Sequence, residues 1–175
     1  MTEILLGCGS SRVKKLALEN RNEWSALTTL DHNADHCPDV VHDMGVLPLP
    51  FDDDTAEEIH LYECLEHLGT QGDYRFFFAQ FADFWRILKH GGVVMGTVPL
   101  PTSVWAWGDT SHTRVIPKES FTFLHQPAYE QVGRTAVSDF RFCYRADFDI
   151  IHMAENGEVL EFALRAVKPS RCSCA

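Results

Sequence analysis

The sequence begins with a short apolar stretch, Ile4-Leu5-Leu6, that runs directly into a glycine turn, Gly7-Cys8-Gly9. Glycine tolerates positive φ and has no Cβ, so the backbone can turn sharply and approach a ligand, while a following helix would offer unpaired N–H groups. Asp31 ends the next apolar run, where dinucleotide folds place the carboxylate that accepts both ribose hydroxyls. The pattern predicts either a nucleotide-type site or a tight strand-to-helix turn without a ligand.

Length and composition indicate one soluble domain. The chain has 175 residues, of which 45% are hydrophobic and 23% charged, and a chain of this size buries about 68–70% of its unfolded surface in a single core. We expect that domain over residues 1–168 and a flexible tail over residues 169–175. No apolar stretch approaches the length of a membrane span, and the N-terminus lacks the features of a signal peptide, so we expect a cytoplasmic protein without membrane contact.

Net charge restricts the expected binding partners, and cysteine spacing indicates the state of the thiols. The formal net charge of −10 disfavours loose binding to nucleic acid, whose affinity comes largely from Lys and Arg side chains that neutralise phosphates. The cysteines form no CxxC pair, which favours reduced thiols over disulfides or a zinc knuckle. Their positions are Cys8, Cys37, Cys64, Cys143, Cys172 and Cys174.

Apolar runs alternate with segments of helical period, which is typical of an α/β fold with a largely parallel sheet. The predicted parallel strands are Glu3–Leu6, Leu27–Asp31, Asp39–Val41, Glu58–Tyr62 and Gly92–Val98. Two further strands, Phe148–Met153 and Val159–Val167, flank Asn156-Gly157, a dipeptide that favours a tight hairpin because it tolerates positive φ. An antiparallel pair therefore closes the predicted sheet.

Three segments carry helical signals. Ser11–Glu19 and Asp73–Leu88 have apolar residues at helical spacing, and the second is rich in aromatic side chains that we expect in the core. Pro117 suits a first helical position, which predicts a short helix from Pro117 to Leu124.

The segment Leu100–Ile116 is long and has little regular periodicity, and loops of that kind are usually functional. Its length, glycine and tryptophans lead to the hypothesis that it closes over a ligand. Trp105 and Trp107 alternate along it, so both rings would face one way and offer a flat acceptor surface, or else plug the core.

Four segments, in order and at suitable spacing, resemble the class I S-adenosylmethionine-dependent methyltransferases over about residues 3–124. They are Leu6–Ser10, Leu30-Asp31, the stretch from Val41-His42-Asp43-Met44 to Glu58–Leu68, and Phe84–Gly92. The resemblance implies a Rossmann-like sandwich with a mostly parallel seven-stranded sheet, a C-terminal antiparallel β-hairpin and helices on both faces. It also implies S-adenosyl-L-methionine as the cofactor.

By the same resemblance, Gly7-Cys8-Gly9 would pack against the methionine part of the cofactor, and Asp31 would bind its ribose hydroxyls. Asp43-Met44 would lie at the adenine, with the carboxylate accepting from the exocyclic amine and the thioether packing on the ring. Tyr62-Glu63 would border the sulfonium. A cofactor that brings a positive sulfur and an ammonium suits an acidic protein.

One position departs from the family pattern. Leu5 stands two residues before the first glycine, where the family commonly has an acid, and Ser11 with Arg12 behind it follows the turn. The departure leaves open a degenerate relative that binds the ligand or a partner chain without catalysis. A nicotinamide-dependent oxidoreductase is a third interpretation, which the incomplete Gly-x-Gly-x-x-Gly motif and the C-terminal hairpin disfavour.

Methyl transfer from a sulfonium is an in-line displacement, so positioning supplies most of the catalysis, and a general base helps an acceptor that must lose a proton. The candidates for that base are Glu63, Glu66, His67 and His112. Glu63 and His67 share a face if the turn after the fourth strand is helical, whereas Glu66-His67 also suits a helix-packing pair. The stretch Gly108–Arg114 resembles the Asp-x-x-His-x-Arg stretch of one branch of these enzymes, which favours His112, unless that histidine only caps Asp109.

No metal site is predicted. His32, His36 and Cys37 have a spacing that would suit a metal only on a helix, and the surrounding sequence is typical of a turn. The acidic run Asp52–Glu58 is typical of a solvated loop.

The methyl acceptor has no recognisable motif of its own. Tyr62–Leu65 stands where adenine-N6 methyltransferases have an Asn-Pro-Pro-Tyr type of motif, which disfavours DNA adenine. Because the chain shows no basic arm or added recognition domain, a small molecule or a peptide side chain is favoured over nucleic acid. The sequence leaves the oligomeric state open.

Overall fold

The computed structural model, which describes residues 2–18 and 20–173, places seven strands in one sheet. They are β1 (Glu3–Leu6), β2 (Leu27–Asp31), β3 (Val40–Val41), β4 (Ala56–Tyr62), β5 (Leu88–Pro99), β6 (Phe148–Asn156) and β7 (Val159–Ala166). Their order is β3-β2-β1-β4-β5-β7-β6. The first five are parallel, and β7 runs antiparallel to both β5 and β6. The predicted seven-stranded, mostly parallel sheet with a C-terminal antiparallel hairpin is confirmed.

Helical segments connect and cover the strands. The two α-helices are α1 (Tyr74–Ile87) and α2 (Trp105–Gly108), and the 3-10 helices are Ala34–His36, Leu65–His67, Lys118–Leu124 and Gln126–Gln131. Asp73 caps α1, since its side chain accepts from the backbone N–H of Phe76 at 3.1 Å. The helix predicted over Asp73–Leu88 is therefore confirmed, and the short helix predicted near Pro117 is a 3-10 helix.

The main core lies between one face of the sheet and α1. Ile59 and Leu61 of β4 point to this face and are fully buried, as are Phe81 and Phe84 of α1. The Phe81 and Phe84 rings pack edge to face, with their centroids 5.4 Å apart. The aromatic stripe of α1 is thus core, as its spacing predicts.

The opposite face of β1 and β4 buries polar side chains, among them Glu3, Glu58 and His60. Segment 11–18 covers this face, and here the helix predicted over Ser11–Glu19 is wrong. Residues 11–18 form no helix, and Glu19 lies outside the described residues. Leu16 and Leu18 still pack against the sheet, so the segment contributes apolar contacts without helical geometry.

Buried charge accounts for the irregular course of segment 11–18. Lys14 Nζ lies 2.7 Å from Glu3 Oε1 and 2.9 Å from Glu58 Oε2, and all three side chains are almost fully buried. Tyr62 Oη accepts hydrogen bonds from two consecutive backbone N–H groups of the segment, each at 3.1 Å. Because buried carboxylates require a counter-charge, bringing Lys14 between them outweighs helical periodicity.

The end of the described chain packs against β6. Arg171 forms ion pairs with Asp147 and Asp149 at 2.6 Å, and Cys174 of the predicted tail lies outside the described residues. Among residues 2–18 and 20–173, no helix is both long and apolar enough to cross a membrane.

Candidate functional site

The carboxyl ends of β1, β2 and β4 meet at one edge of the sheet. The strand order reverses beside β1, because β2 and β3 lie on one side of it and β4 and β5 on the other. Open α/β sheets bind ligands at such a switch point. The glycine turn follows β1 here, Asp31 ends β2, and Glu63 follows β4.

The glycine turn is closely packed against neighbouring side chains. Gly7 has φ +61°, and a Cβ at this position would lie 2.6 Å from Cys64 Sγ and 3.2 Å from Met44 Cε. Cys8 is buried, and its backbone N–H donates to Leu30 O at 3.2 Å. Position 7 therefore requires glycine for both its conformation and its close contacts.

Asp31 joins the end of β2 to the glycine turn. Its Oδ2 accepts from the backbone N–H of Gly9 at 2.8 Å, and its Oδ1 accepts from that of Asn33 at 2.9 Å. His36 Nδ1 lies 3.2 Å from Oδ1. Burial raises the pKa of Asp31, but the hydrogen bonds from Asn33 and Gly9 outweigh it and leave the pKa below its ordinary value. The carboxylate is thus held charged at the edge of the turn.

The other residues expected at the cofactor differ in their exposure to solvent. Asp43 is exposed and accepts from the backbone N–H of Gly45 at 2.8 Å, whereas Met44 is buried beside Gly7. Tyr62 shares a small pocket of about 60 Å³ with Gly7 and Cys8. Its hydroxyl is bonded to His60 Nδ1 at 2.7 Å, on the polar face of the sheet. The structure thus brings Tyr62 and the glycine turn together.

Glu63 has the backbone conformation of a strained residue. Its φ is +50°, a value that L-residues rarely adopt, and its N–H donates to Thr97 O at 3.1 Å. Its Oε1 is buried and has no hydrogen-bond partner in the part of the chain that the structure describes. Glu63 precedes the 3-10 helix Leu65–His67, so the helical turn that would put it on one face with His67 is not formed.

Backbone hydrogen bonds dock the loop after β5 onto the 3-10 helix after β4. The N–H groups of Thr113 and Arg114 donate to Glu66 O at 2.9 and 3.3 Å, and Gln71 N–H donates to Thr113 O at 3.1 Å. This docking brings together four side chains, which we call the His–Glu cluster. Its members are Glu66, His67, Asp109 and His112.

Within the His–Glu cluster, His112 occupies the centre. Its Nε2 lies 4.0 Å from Glu66 Oε1 and 3.8 Å from Asp109 Oδ2, and its ring meets that of His67 edge to face, with the centroids 4.7 Å apart. His67 is exposed, and its Nδ1 lies 3.3 Å from Ser111 O. The sequence singled out His112 and His67, and the structure places them side by side.

Glu66 is the most unusual group of the cluster. Only 2% of it is exposed, and neither carboxylate oxygen has a hydrogen-bond partner among the described residues. Burial raises the pKa of Glu66 to about 8, and the charges of Glu63 and Asp109 act in the same direction. Such a shift, in a group beside two histidines, is typical of functional sites.

Arg114 lies next to Glu66 without neutralising it directly. Its Nε donates to Leu65 O at 2.8 Å and its Nη2 to Gln80 Oε1 at 2.7 Å. Burial lowers the pKa of Arg114 to about 10. Arg114 belongs to the Asp-x-x-His-x-Arg stretch, but nothing in the sequence indicates that its guanidinium is buried against Gln80.

Two features border the cluster. A pocket of about 290 Å³ is lined by Arg114, by Glu119 and by aromatic rings, among them Phe77, Phe78, Phe123 and Phe140. On the loop after β5, Trp105 and Trp107 are both exposed and lie on the single turn of α2. Residues two apart on a helix do not share a face, so the expectation that both rings face one way is wrong.

Comparisons with known proteins identify the fold. The sequence matches no protein-family model and no curated protein. Its structure is similar to that of an S-adenosylmethionine-dependent methyltransferase from Archaeoglobus fulgidus, with a TM-score of 0.58 and 14% identity over 94% of this chain and 85% of that one. The chain has the class I methyltransferase fold.

Other proteins with this methyltransferase fold show its functional range. The geranyl diphosphate C-methyltransferase of Streptomyces coelicolor, described in complex with S-adenosyl-L-homocysteine, has a TM-score of 0.56 and 13% identity over 95% of this chain and 70% of that one. The cyclase SpnF has a TM-score of 0.57 and 10% identity over 95% and 74%. A methyltransferase fold therefore indicates where a ligand binds and leaves the reaction to be argued from the site.

Leu5, which replaces the common acid of this methyltransferase fold, is buried and lines the pocket of about 60 Å³ beside Gly7 and Tyr62. That volume is well below the roughly 300 Å³ at which pockets for small molecules begin. Neither Asp31 nor Glu63 lines this pocket, so a nucleoside-sized ligand at the glycine turn would extend beyond it along the ends of β2 and β4.

Proposed function

We propose that this protein binds S-adenosyl-L-methionine at the carboxyl ends of β1, β2 and β4 and transfers its methyl group to a small molecule or a peptide side chain. The observation that carries the proposal is the junction of Gly9 and Asp31 at the switch point of a class I methyltransferase fold. It puts a charged acceptor beside a turn that a ligand can approach closely.

The residues at this edge fit the cofactor in charge and in shape. Asp31 carries lone pairs beyond those that bind Gly9 and Asn33, and these would accept the ribose hydroxyls. Glu63 Oε1, which lacks a partner among the described residues, would face the positive end of the ligand. Met44, buried beside Gly7, would pack against the adenine with Asp43 at its edge.

Positioning is the main catalytic contribution that the chain can make. The bound cofactor supplies an electrophilic methyl group on a sulfonium. In our proposal Tyr62 and Glu63 border this group, and the His–Glu cluster receives the acceptor. Holding the two reactants at near-attack distance accounts for most of the rate enhancement. Glu63, His67 and His112 are the candidates to take a proton from a hydroxyl or amine acceptor.

The acceptor that we propose is small or is a single side chain. The net charge of −10 and the acidic groups around the cluster disfavour a phosphate-rich partner. The pocket lined by Phe77, Phe78 and Phe140 would hold an apolar part of the acceptor. The loop 100–116 would close over both ligands, and chymotryptic cleavage at Trp105 and Trp107 should then slow when cofactor is added.

Calorimetric titration with S-adenosylmethionine and S-adenosylhomocysteine tests the proposal. Asp31→Ala should weaken binding by roughly 10- to 100-fold, the equivalent of lost hydrogen bonds to a charged group. Asp149→Ala is the matched control, because Asp149 pairs with Arg171 at 2.6 Å on β6, the edge strand on the side of the sheet away from β2. Equal losses in both variants, or no binding by the wild type at millimolar ligand, would contradict the proposal.

A second candidate function is binding without catalysis. Leu5, which stands where the family commonly has an acid, favours this alternative. A protein that binds S-adenosylhomocysteine but produces none of it from S-adenosylmethionine with any hydroxyl, amine or peptide acceptor would support it.

A further inference from the structure

The His–Glu cluster contains several buried polar atoms that nothing in the described chain satisfies. They are both carboxylate oxygens of Glu66 and Nδ1 of His112. A buried carboxylate without a partner is costly, and proteins retain one mainly where a proton, a ligand or a metal completes it. The neighbouring Arg114 does not complete it, because this guanidinium bonds to Leu65 O and Gln80 Oε1 instead.

We propose that Glu66, His67 and His112 bind a divalent transition-metal ion. One ligand atom from each of the three lies within 4.8 Å of those of the other two. Ligands of one zinc ion stand roughly 3–4 Å apart, given bonds of about 2.0–2.2 Å. The exposed ring of His67 is the one free to swing inward and close that small difference.

Carbonyl and carboxylate oxygens lie next to the two histidines, as they do around many metal-binding histidines. A metal-bound histidine usually donates its other ring N–H to a carbonyl or carboxylate. His67 Nδ1 lies 3.3 Å from Ser111 O, which leaves Nε2 for the metal. Asp109 Oδ2, at 3.8 Å from His112 Nε2, is too far for a hydrogen bond and contributes a negative charge beside the site. Asp109 is itself oriented by Ser111, whose N–H and Oγ bind its Oδ1 at 2.8 and 2.6 Å.

Two imidazoles and one carboxylate suit zinc or ferrous iron and leave coordination positions open. An open position would take an oxygen or a nitrogen of the methyl acceptor, which would restrict the acceptor to molecules with a hydroxyl, carboxylate or amine. This role for the metal rests on the proposed function, whereas the binding of the metal does not. With His67 and His112 as metal ligands, the proton of a hydroxyl or amine acceptor would go to Glu63.

Competition between the purified protein and a chromogenic chelator for Zn²⁺ tests the proposal. The wild type should bind one equivalent, and Glu66→Gln and His112→Asn should each bind it at least 10- to 100-fold more weakly. His152→Asn is the matched control, because His152 Nε2 also faces a carboxylate, Glu161 Oε2 at 3.4 Å, without a third ligand among the described residues. Circular dichroism and thermal unfolding would verify that each variant is folded.

Substitution with Co²⁺ identifies the ligands independently. The cluster should give ligand-field absorption of nitrogen and oxygen ligands without thiolate-to-cobalt charge transfer. A thiolate band would place the ion at a cysteine and overturn the proposal, as would Zn²⁺ affinity unchanged in both variants or absent from the wild type. Zinc binding that persists in a protein unable to bind S-adenosylmethionine would refute only the proposed function.

Discussion

The backbone N–H of Gly9 donates to Asp31 Oδ2 at 2.8 Å, so the glycine turn and the end of β2 form one unit. We expect Asp31→Ala to lower the free energy of unfolding by about 1–3 kcal/mol, because the partly buried N–H groups of Gly9 and Asn33 lose their acceptor. Asp31→Asn keeps one acceptor oxygen and should lose less. Urea denaturation of the three proteins checks this order, and equal stability of wild type and Asp31→Ala would contradict it.

The contact between Gly7 and Cys64 can be separated from the conformational demand on glycine. Gly7→Ala and Gly157→Ala both place a Cβ at φ +61°, but only at position 7 would it meet a side chain, Cys64 Sγ at 2.6 Å. Both substitutions should cost about 1–2 kcal/mol for the left-handed conformation, and Gly7→Ala a further 1–3 kcal/mol or so for overpacking. Thermal unfolding measures the difference, and Cys64→Ala combined with Gly7→Ala should recover part of it.

Lys14 is the counter-charge for two buried carboxylates. Lys14→Met should lower the free energy of unfolding by roughly 3–5 kcal/mol, because Glu3 would remain buried without its cation and Glu58 would keep only the partly exposed Arg21, at 2.7 Å. The neighbouring Lys15 is exposed, so Lys15→Met is a control of the same size that should have little effect. If urea denaturation shows equal losses for the two variants, the buried network does not hold segment 11–18 in place.

Glu58 makes stability depend on pH in the acid range. Burial raises the pKa of Glu58, but hydrogen bonds from His60 and Lys14 outweigh burial. Together these effects lower the pKa from its ordinary value of 4.5 to about 2. A lowered carboxyl pKa stabilises the fold above pH 4.5, and this contribution is lost as the pH falls from 4.5 toward 2. The free energy of unfolding should therefore fall less steeply in Glu58→Gln between pH 5 and about 3.

The control for the acid titration is Glu57→Gln, which removes only a partly exposed carboxylate paired with Lys89 at 3.2 Å. Its curve should follow that of the wild type. Parallel curves for wild type and Glu58→Gln would show that the ion pairs of Glu58 do not survive in solution.

Glu66→Gln should stabilise the protein in the presence of a chelator. The substitution keeps the shape of a side chain that is 2% exposed and removes a carboxylate without a hydrogen-bond partner among the described residues. A gain of about 1 kcal/mol would raise the melting temperature by roughly 2–4 °C in a domain of this size. Glu130→Gln, at an exposed carboxylate, should leave it unchanged. A lower melting temperature for Glu66→Gln would show that the carboxylate has a stabilising partner.

Most of the fold prediction rested on the periodicity of apolar residues and on the residue types found in turns. The β6–β7 hairpin turns at Asn156 and Gly157 as expected, and the aromatic stripe of α1 packs on the sheet. The helix predicted over Ser11–Glu19 was wrong because the sequence pattern shows only which residues are apolar. Nothing in that pattern indicates that Glu3 and Glu58, on strands distant in sequence, would need Lys14 between them, although polar residues at alternate strand positions were a usable signal.

The candidate site was predictable where a local motif defines it. The glycine turn and Asp31 meet because their spacing belongs to a strand–turn motif. The His–Glu cluster depends on how the long loop after β5 docks onto the 3-10 helix after β4. The hydrogen bond that docks it joins Thr113 to Glu66, which are separated in sequence by all of α1 and β5. Sequence alone proposed the histidines one at a time and could not show that Glu66 and Asp109 converge on them.

The charged layer beneath segment 11–18 fixes the alignment of β1 with β4. Glu3 lies opposite Glu58, and Ile4 opposite Ile59, so the carboxylates share one face and the isoleucines the other. A slip by one residue would turn Glu3 toward the phenylalanines of α1 and expose Ile4 to the lysine side. A misaligned intermediate would therefore be destabilised in two ways. The carboxylate of Glu3 would lie in the apolar layer, and the ammonium of Lys14 would lose that carboxylate as its partner. A fold that uses charge on one face of its sheet rejects wrong pairings that an all-apolar sheet would tolerate.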